Sequence, residues 1–373
     1  MPFLKSHAAQ GIIGTSRPPG APGETTAMPL YDWKLKFKPA VPGDVLAFHR
    51  SCDVVDLHID TFMILKYRRM DITRRGKPVT YLNMFRHAVD VPRLREGGVN
   101  VPCWGVVVFP FHRSGYFDSA MQYLDVVHQW HDEHPGVMNL CATGAQVREV
   151  IGRGGIAGIL GLEGAHPLLG RMENLETLIG RGIRYVTLTH FTSNEAAICA
   201  TDMAPKFAGL SDFGRDVVDY LDAHHVIIDL AHVSEPSFIE AAKRTSNPVI
   251  VSHTGVRGVK DMWRNLSDDQ IDAVADTGGV IGVILHSNFL GSERVAGLDA
   301  WVDHVDYIVR RVGADHVAVG SDLDGAIVPP REFQDIADMP QLTWALSRRG
   351  YTEDDIRKIL GANALRVFDH VLG

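Results

Sequence analysis

Four apolar runs in this chain each end in side chains that bind transition metals. Val-Val-Asp-Leu-His-Ile-Asp (54–60) ends in His58 and Asp60. Ile-Ala-Gly-Ile-Leu-Gly-Leu-Glu (156–163) ends in Glu163. Val-Ile-Ile-Asp-Leu-Ala-His (226–232) ends in His232, and Pro-Val-Ile-Val-Ser-His (248–253) ends in His253. Three imidazoles and two carboxylates make a donor set suited to zinc or a similar divalent ion. A glutamate closing an apolar strand is costly unless it is paired or metal-bound, and its two oxygens can bridge two ions. The inventory then divides into His58, Asp60 and Glu163 on one ion, and Glu163, His232 and His253 on the other. Each ion keeps an open position, as catalytic sites do. Two ions about 3.5–4 Å apart can hold a water between them and lower its pKa towards ~7.

Three further residues suit hydrolysis. His190 closes Ile-Arg-Tyr-Val-Thr-Leu-Thr-His and is a candidate donor to a developing oxyanion. Asp322 closes His-Val-Ala-Val-Gly-Ser-Asp and is a candidate proton carrier. Arg264, in Met-Trp-Arg-Asn-Leu, can clamp a carboxylate with two donors, although a lone loop arginine is usually solvated.

The five ligands span about 200 positions, so something must gather them. Eight β-rich runs, at 54–60, 100–109, 156–163, 183–190, 226–232, 248–253, 280–285 and 316–322, alternate with helical patterns. Helices are expected over 119–134, 174–181 and 213–224, the last capped by Ser211 or Asp212. Ser267 opens a capping-box pattern into 271–277, with Gly278 as the stop. Alternation of this kind predicts a (β/α)8 TIM barrel, whose strand C-termini meet at one face. Period-two geometry places His58 and Asp60 on one side of the first strand, with Asp56 one step deeper. The 61–98 connection is long for a βα unit and is expected to be an insertion over the barrel mouth. A single barrel domain over 31–373 is expected, preceded by a disordered leader over 1–30, where Gly, Pro, Ser and Thr dominate.

Composition narrows the class. A net charge of −8 argues against nucleic-acid binding. Four cysteines without Cys-x-x-Cys spacing read as free buried thiols. No apolar run approaches the ~20 residues of a membrane span, and the N-terminus lacks a signal-peptide pattern. A cytoplasmic protein without a membrane partner is the expectation.

Asp-Leu-His-Ile-Asp, Gly-Leu-Glu-Gly-Ala-His-Pro, Tyr-Val-Thr-Leu-Thr-His, Ile-Asp-Leu-Ala-His-Val-Ser, Val-Ile-Val-Ser-His-Thr, Arg-Asn-Leu-Ser-Asp-Asp and Gly-Ser-Asp-Leu-Asp-Gly follow one another in this order. From about residue 52 onward the chain resembles the membrane (renal) dipeptidase family, peptidase family M19, among the amidohydrolase-type barrels. The resemblance implies a binuclear zinc dipeptidase, with two Zn2+ per chain on His58, Asp60, Glu163, His232 and His253. It implies that His190 contacts the scissile carbonyl region, Arg264 binds the substrate's C-terminal carboxylate and Asp322 handles the proton. A hydroxide shared by the two ions would attack the amide of a small peptide, and a homodimer is implied. Leu57 and Ile59 depart from the family's Asp-Gly-His-Asn-Asp, which changes packing on the face opposite the ligands. The loops at 61–98, 112–116 and after His190 also differ, so the substrate is the least determined feature. The alternative is an amidohydrolase on the same frame, acting on N-acyl amino acids, lactones or other small amides. The subgroup that bridges its metals with a modified lysine is disfavoured, because strand four contains no lysine. A non-catalytic scaffold is disfavoured because every ligand is present.

Overall fold

Eight parallel strands form one sheet in chain order in the computed structural model, which describes residues 38–68, 70–76, 80–81, 85–108 and 115–373. They are β1 (Val54–Ile59), β2 (Val99–Val107), β3 (Ala157–Glu163), β4 (Ile183–Thr187), β5 (Ile227–Asp229), β6 (Ile250–Thr254), β7 (Val280–Val283) and β8 (Val317–Val319). The first and last strands meet through a parallel bridge between Ile59 and Leu323. Two backbone bonds flank it: Asp60 N–H donates to Leu323 O (2.9 Å), and Asp322 N–H donates to His58 O (3.0 Å). This is the expected (β/α)8 barrel. The expected leader (1–30) lies outside the described residues.

The helices form where the pattern placed them. Residues Tyr116–Glu133, Met172–Gly180, Asp212–Ala223 and Asp268–Asp276 are helical. Ser211 caps the third by accepting from Gly214 N–H at 2.9 Å. Ser267 and Gln270 complete the capping box on the fourth, and Gly278 follows its end with φ +77°. Sequence periodicity had not singled out Glu235–Arg244, Leu298–Val312 or Met339–Arg349, which are also helical.

Apolar side chains pack in two layers. Val55, Leu57, Val101, Cys103, Ala157, Ile159, Ile227 and Ile250 belong to one cluster, which also takes in Phe368 of the C-terminal helix. Alternate strand positions such as Val54, Trp104, Leu160, Val186 and Val251 belong to the larger layer, which contains the surrounding helices. This is the expected division between barrel interior and helix-facing surface. All four cysteines are buried and free, as expected.

Two expectations need correction. A register shift between Asp56 and Ile59 breaks strict alternation in β1. Leu57 therefore joins the interior cluster instead of an opposite face. Asp56 is fully buried. Its Oδ1 accepts from the backbone N–H of Ser321 (2.8 Å) and His58 (3.3 Å). Strands β4, β5 and β8 also stop three residues short of the expected ends. Near two of these ends the chain enters left-handed backbone, with φ +65° at His232 and +60° at Asp322. Such backbone ends the ladder and turns the side chain to a new direction.

The 61–98 connection contains helices Thr61–Arg68 and Val91–Glu96 and a short antiparallel pair, Thr80–Tyr81 with Phe85–Arg86. It is tied to the strand-eight loop by Asp324, which accepts from Thr61 Oγ1 and Ala88 N–H, each at 2.7 Å.

Helix Leu298–Val312 holds the approach to Arg264 through His304. The His304 Nδ1 accepts from Val256 N–H (2.9 Å), so Nε2 carries the proton, 3.2 Å from Leu290 O. Burial pushes its pKa down to about 4. A neutral buried imidazole costs nothing above its unfolded pKa of about 6.5. As pH falls below that value the unfolded chain takes up the proton first, and stability is lost. Between pH 7 and pH 5, urea unfolding of metal-free protein should show about 2 kcal/mol more loss in wild type than in His304→Gln. Equal losses would contradict the assignment.

Candidate metal centre

All five expected ligands converge at the C-terminal mouth of the barrel. His58 lies in β1 and Asp60 just beyond it, Glu163 is the last residue of β3, and His253 lies in β6. His232 stands three residues past β5, where its left-handed backbone turns it to the centre. Glu163 is the common point. Its Oε1 lies 3.3 Å from His232 Nε2, 3.5 Å from His58 Nε2, 3.5 Å from His190 Nε2 and 3.6 Å from His253 Nε2. His58 Nε2 is 3.2 Å from Asp60 Oδ1, and His232 Nε2 is 3.0 Å from His253 Nε2.

The neighbouring side chains show which ring nitrogens are free. Asp229 Oδ2 accepts from the hydroxyls of Thr187 (2.5 Å) and Ser252 (2.7 Å). Because Ser252 spends its proton on that carboxylate, its oxygen must accept from His253 Nδ1–H, 2.9 Å away. His253 Nε2 then carries a lone pair aimed at His232 and Glu163. Burial, then the charge of Arg264, holds His232 well below the usual histidine pKa, and burial, then His58, does the same for His253. Both are neutral, the form that binds metal. On the other side His58 Nδ1 meets Tyr185 OH at 3.1 Å.

The residues fit a metal. Glu163 Oε2, Asp60 Oδ1 and His58 Nε2 are buried without a hydrogen-bond partner. Lone pairs facing one another at 3.0–3.6 Å repel unless a cation lies between them. Ligand atoms on one tetrahedral zinc, each about 2.0–2.1 Å from it, stand about 3.3 Å apart. His58, Asp60 and Glu163 form one compact donor group, and Glu163, His190 and His232 another. The backbone is shaped to admit them. A Cβ on Gly105 would lie 2.5 Å from Asp60 Oδ1, and one on Gly325 would lie 2.2 Å from Asp322 Oδ1.

His190, three residues past β4, has Nδ1 buried and without a partner. Burial lowers its pKa. Asp322 forms a third donor group with His58 and His253, and burial, then the Asp60 charge, pushes its pKa well above the usual carboxylate range. Arg264 is buried, not solvated as a loop arginine usually is, and its Nη2 donates to His253 O at 3.0 Å. Its Nε is also buried and has no partner among the described residues. Asp60, Glu163, His190, His232, His253, Arg264 and Asp322 line one side of a cavity of about 250 Å³, whose remaining wall includes Met63, Phe191, Trp263 and Phe289.

Asp229, Ser252 and Tyr185 were not singled out in the sequence. An aspartate inside Val-Ile-Ile-Asp-Leu was the available signal for Asp229, since a buried strand carboxylate needs donors. Nothing local marks Ser252 or Tyr185.

A parallel barrel with this donor cluster at its mouth defines a metal-dependent hydrolase of the amidohydrolase type. Residues 44–372 match the membrane dipeptidase family, peptidase family M19. The dipeptidase ataJ of Aspergillus terreus is 32% identical over 313 residues, 76% of each chain. The chain belongs to family M19 and is a metallo-dipeptidase that acts on small peptides. Two solved structures share its fold. The metallo peptidase of Rhodobacter sphaeroides, liganded with a phosphinate mimic of L-Ala-D-Ala, superposes with a TM-score of 0.78 at 23% identity, over 86% of this chain and 99% of that one. The probable dipeptidase PvdM of Pseudomonas aeruginosa gives 0.80 at 20% identity, over 88% and 98%. No helix among the described residues is long and apolar enough to cross a membrane.

Asp229 orients His253 through Ser252, and partners of this kind set metal affinity. Asp229→Asn should weaken zinc binding about 10- to 100-fold in a competition titration with a chromophoric chelator. Unchanged affinity would remove Asp229 from that role.

Proposed function

We propose that this enzyme is a binuclear zinc dipeptidase selective for dipeptides with a free C-terminal carboxylate. The observation that carries the reading is the buried Glu163 carboxylate, with one oxygen within 3.6 Å of four imidazole nitrogens. His58, Asp60 and Glu163 would hold one ion; Glu163, His232 and His253 would hold the other. When bound, the ions supply an activated water and polarise the amide carbonyl.

The chain's own groups divide the remaining work. His190, neutral and beside Glu163, stabilises negative charge that develops on the carbonyl oxygen. Asp322, held protonatable by burial and by Asp60, carries a proton to the departing amine. Arg264 offers donors to a carboxylate; the partnerless Nε and the buried cation both call for an anion. A cavity of about 250 Å³ is at the small end for ligand sites, which suits a dipeptide and refuses a long chain.

Zinc-loaded protein should release amine from a panel of dipeptides, and chelation should stop it. His232→Ala should lose at least about 10³-fold in kcat while keeping its fold by circular dichroism. Undiminished turnover in that variant would sink the assignment. Arg264→Met should raise KM for free dipeptides by about 10-fold or more.

A further inference from the structure

Phe191 lines the metal cavity yet is 46% exposed. A lone exposed apolar side chain is ordinary on a protein surface. This one is held in place beside the reaction centre. Its ring lies against His190 with centroids 4.0 Å apart, and it meets His232 edge-on at 5.9 Å. Residues 190, 191 and 232 lie past the ends of β4 and β5. One short segment addresses the carbonyls of all three. The Cys199 thiol donates to His190 O at 2.7 Å, Ala200 N–H to His232 O at 2.8 Å, and Thr201 Oγ1 to Phe191 O at 2.9 Å. Three consecutive residues thus splint the backbone under the ring. An aromatic face fixed in this way is preorganised, so a ligand that covers it loses little to ordering.

The wall around it sets the chemistry of that ligand. Met63, Val107, Ile284, Phe289 and Ile327 line the same cavity. His286 also lines it and is neutral: burial pushes its pKa down to about 4, and its Nδ1 accepts from Val328 N–H at 3.3 Å. Among the described residues, the wall holds no charge apart from the donor cluster, Arg264 and Asp322. A charged substrate side chain laid on Phe191 would lose its water without gaining a partner. An apolar one removes apolar surface on both sides. The position of His190 indicates which end of a dipeptide meets the ring. His190 faces the scissile carbonyl in the reading above, and that carbonyl belongs to the N-terminal residue. The C-terminal carboxylate goes with Arg264, whose Cζ lies 5.9 Å from the centroid of Phe289. Phe191, packed on His190, therefore belongs with the N-terminal residue.

We propose that Phe191 is the specificity-determining residue for the N-terminal side chain of the substrate, and that preferred dipeptides carry a large apolar residue there. The inference rests on the dipeptidase reading and names the substrate class within it.

The experiment measures kcat/KM for Leu-Gly, Gly-Leu and Gly-Gly on zinc-loaded wild type, Phe191→Ala and Phe191→Leu. Wild type should favour Leu-Gly over Gly-Gly by at least about 10-fold. In Phe191→Ala that ratio should fall below about threefold, while the ratio of Gly-Leu to Gly-Gly stays within about twofold of the wild-type value. Phe191→Leu keeps an apolar face and should retain most of the preference. A disturbance of His190 slows all three substrates alike and cancels in the ratios. A wild-type ratio near one, an unchanged Leu-Gly preference in Phe191→Ala, or an equal fall in both ratios would overturn the inference while leaving the dipeptidase reading intact. Wild type that turns over no dipeptide would overturn both.

Discussion

Everything at the mouth of this barrel is arranged around one buried carboxylate. Glu163 terminates an apolar strand, and four imidazoles from four other strand ends face one of its oxygens. A carboxylate taken out of water needs compensation, and so does each lone pair that faces it. Burial favours neutral His232 and His253, so these two rings turn lone pairs and not charges towards it. A cation within the cluster satisfies all of these groups together. The closed sheet makes the cluster possible, since only a barrel brings residues 58 and 253 to within ligand distance of residue 163.

The surrounding structure meets that constraint at several levels. Glycine at 105 and 325 clears space that any side chain would fill. Left-handed backbone at His232 and Asp322 re-aims two side chains that a straight strand would misdirect. Asp229, with Thr187 and Ser252 as donors, fixes the tautomer of His253. The bond from Asp322 N–H to His58 O joins the last strand to the first, so Asp322, the proposed proton carrier, is positioned by the same seam that closes the barrel.

Much of this was legible in the sequence, because strand ends and ligand types repeat. Each of His58, Asp60, Glu163, His232 and His253 follows an apolar run, and such runs in an alternating βα chain have one destination. The helix caps at Ser211 and Ser267 were legible for local reasons, since a side-chain oxygen three residues before an N–H needs no tertiary context. The rest depends on contacts across the fold. The bulge in β1, which turns Leu57 into the interior, leaves no mark in a period-two pattern. Burial of Arg264 is set by elements distant in sequence. His286 reads as an ordinary histidine until Val328 fixes its tautomer. Tyr185 and Ser252 are residue types common in any strand, and only their partners give them a role.

The most direct measurement is a zinc titration of metal-free wild type and Glu163→Ala, read by calorimetry and by elemental analysis after dialysis. Two equivalents should bind tightly to each wild-type chain, and loss of the shared carboxylate should weaken both sites at once. Two undiminished sites in Glu163→Ala would contradict the central position assigned to that residue.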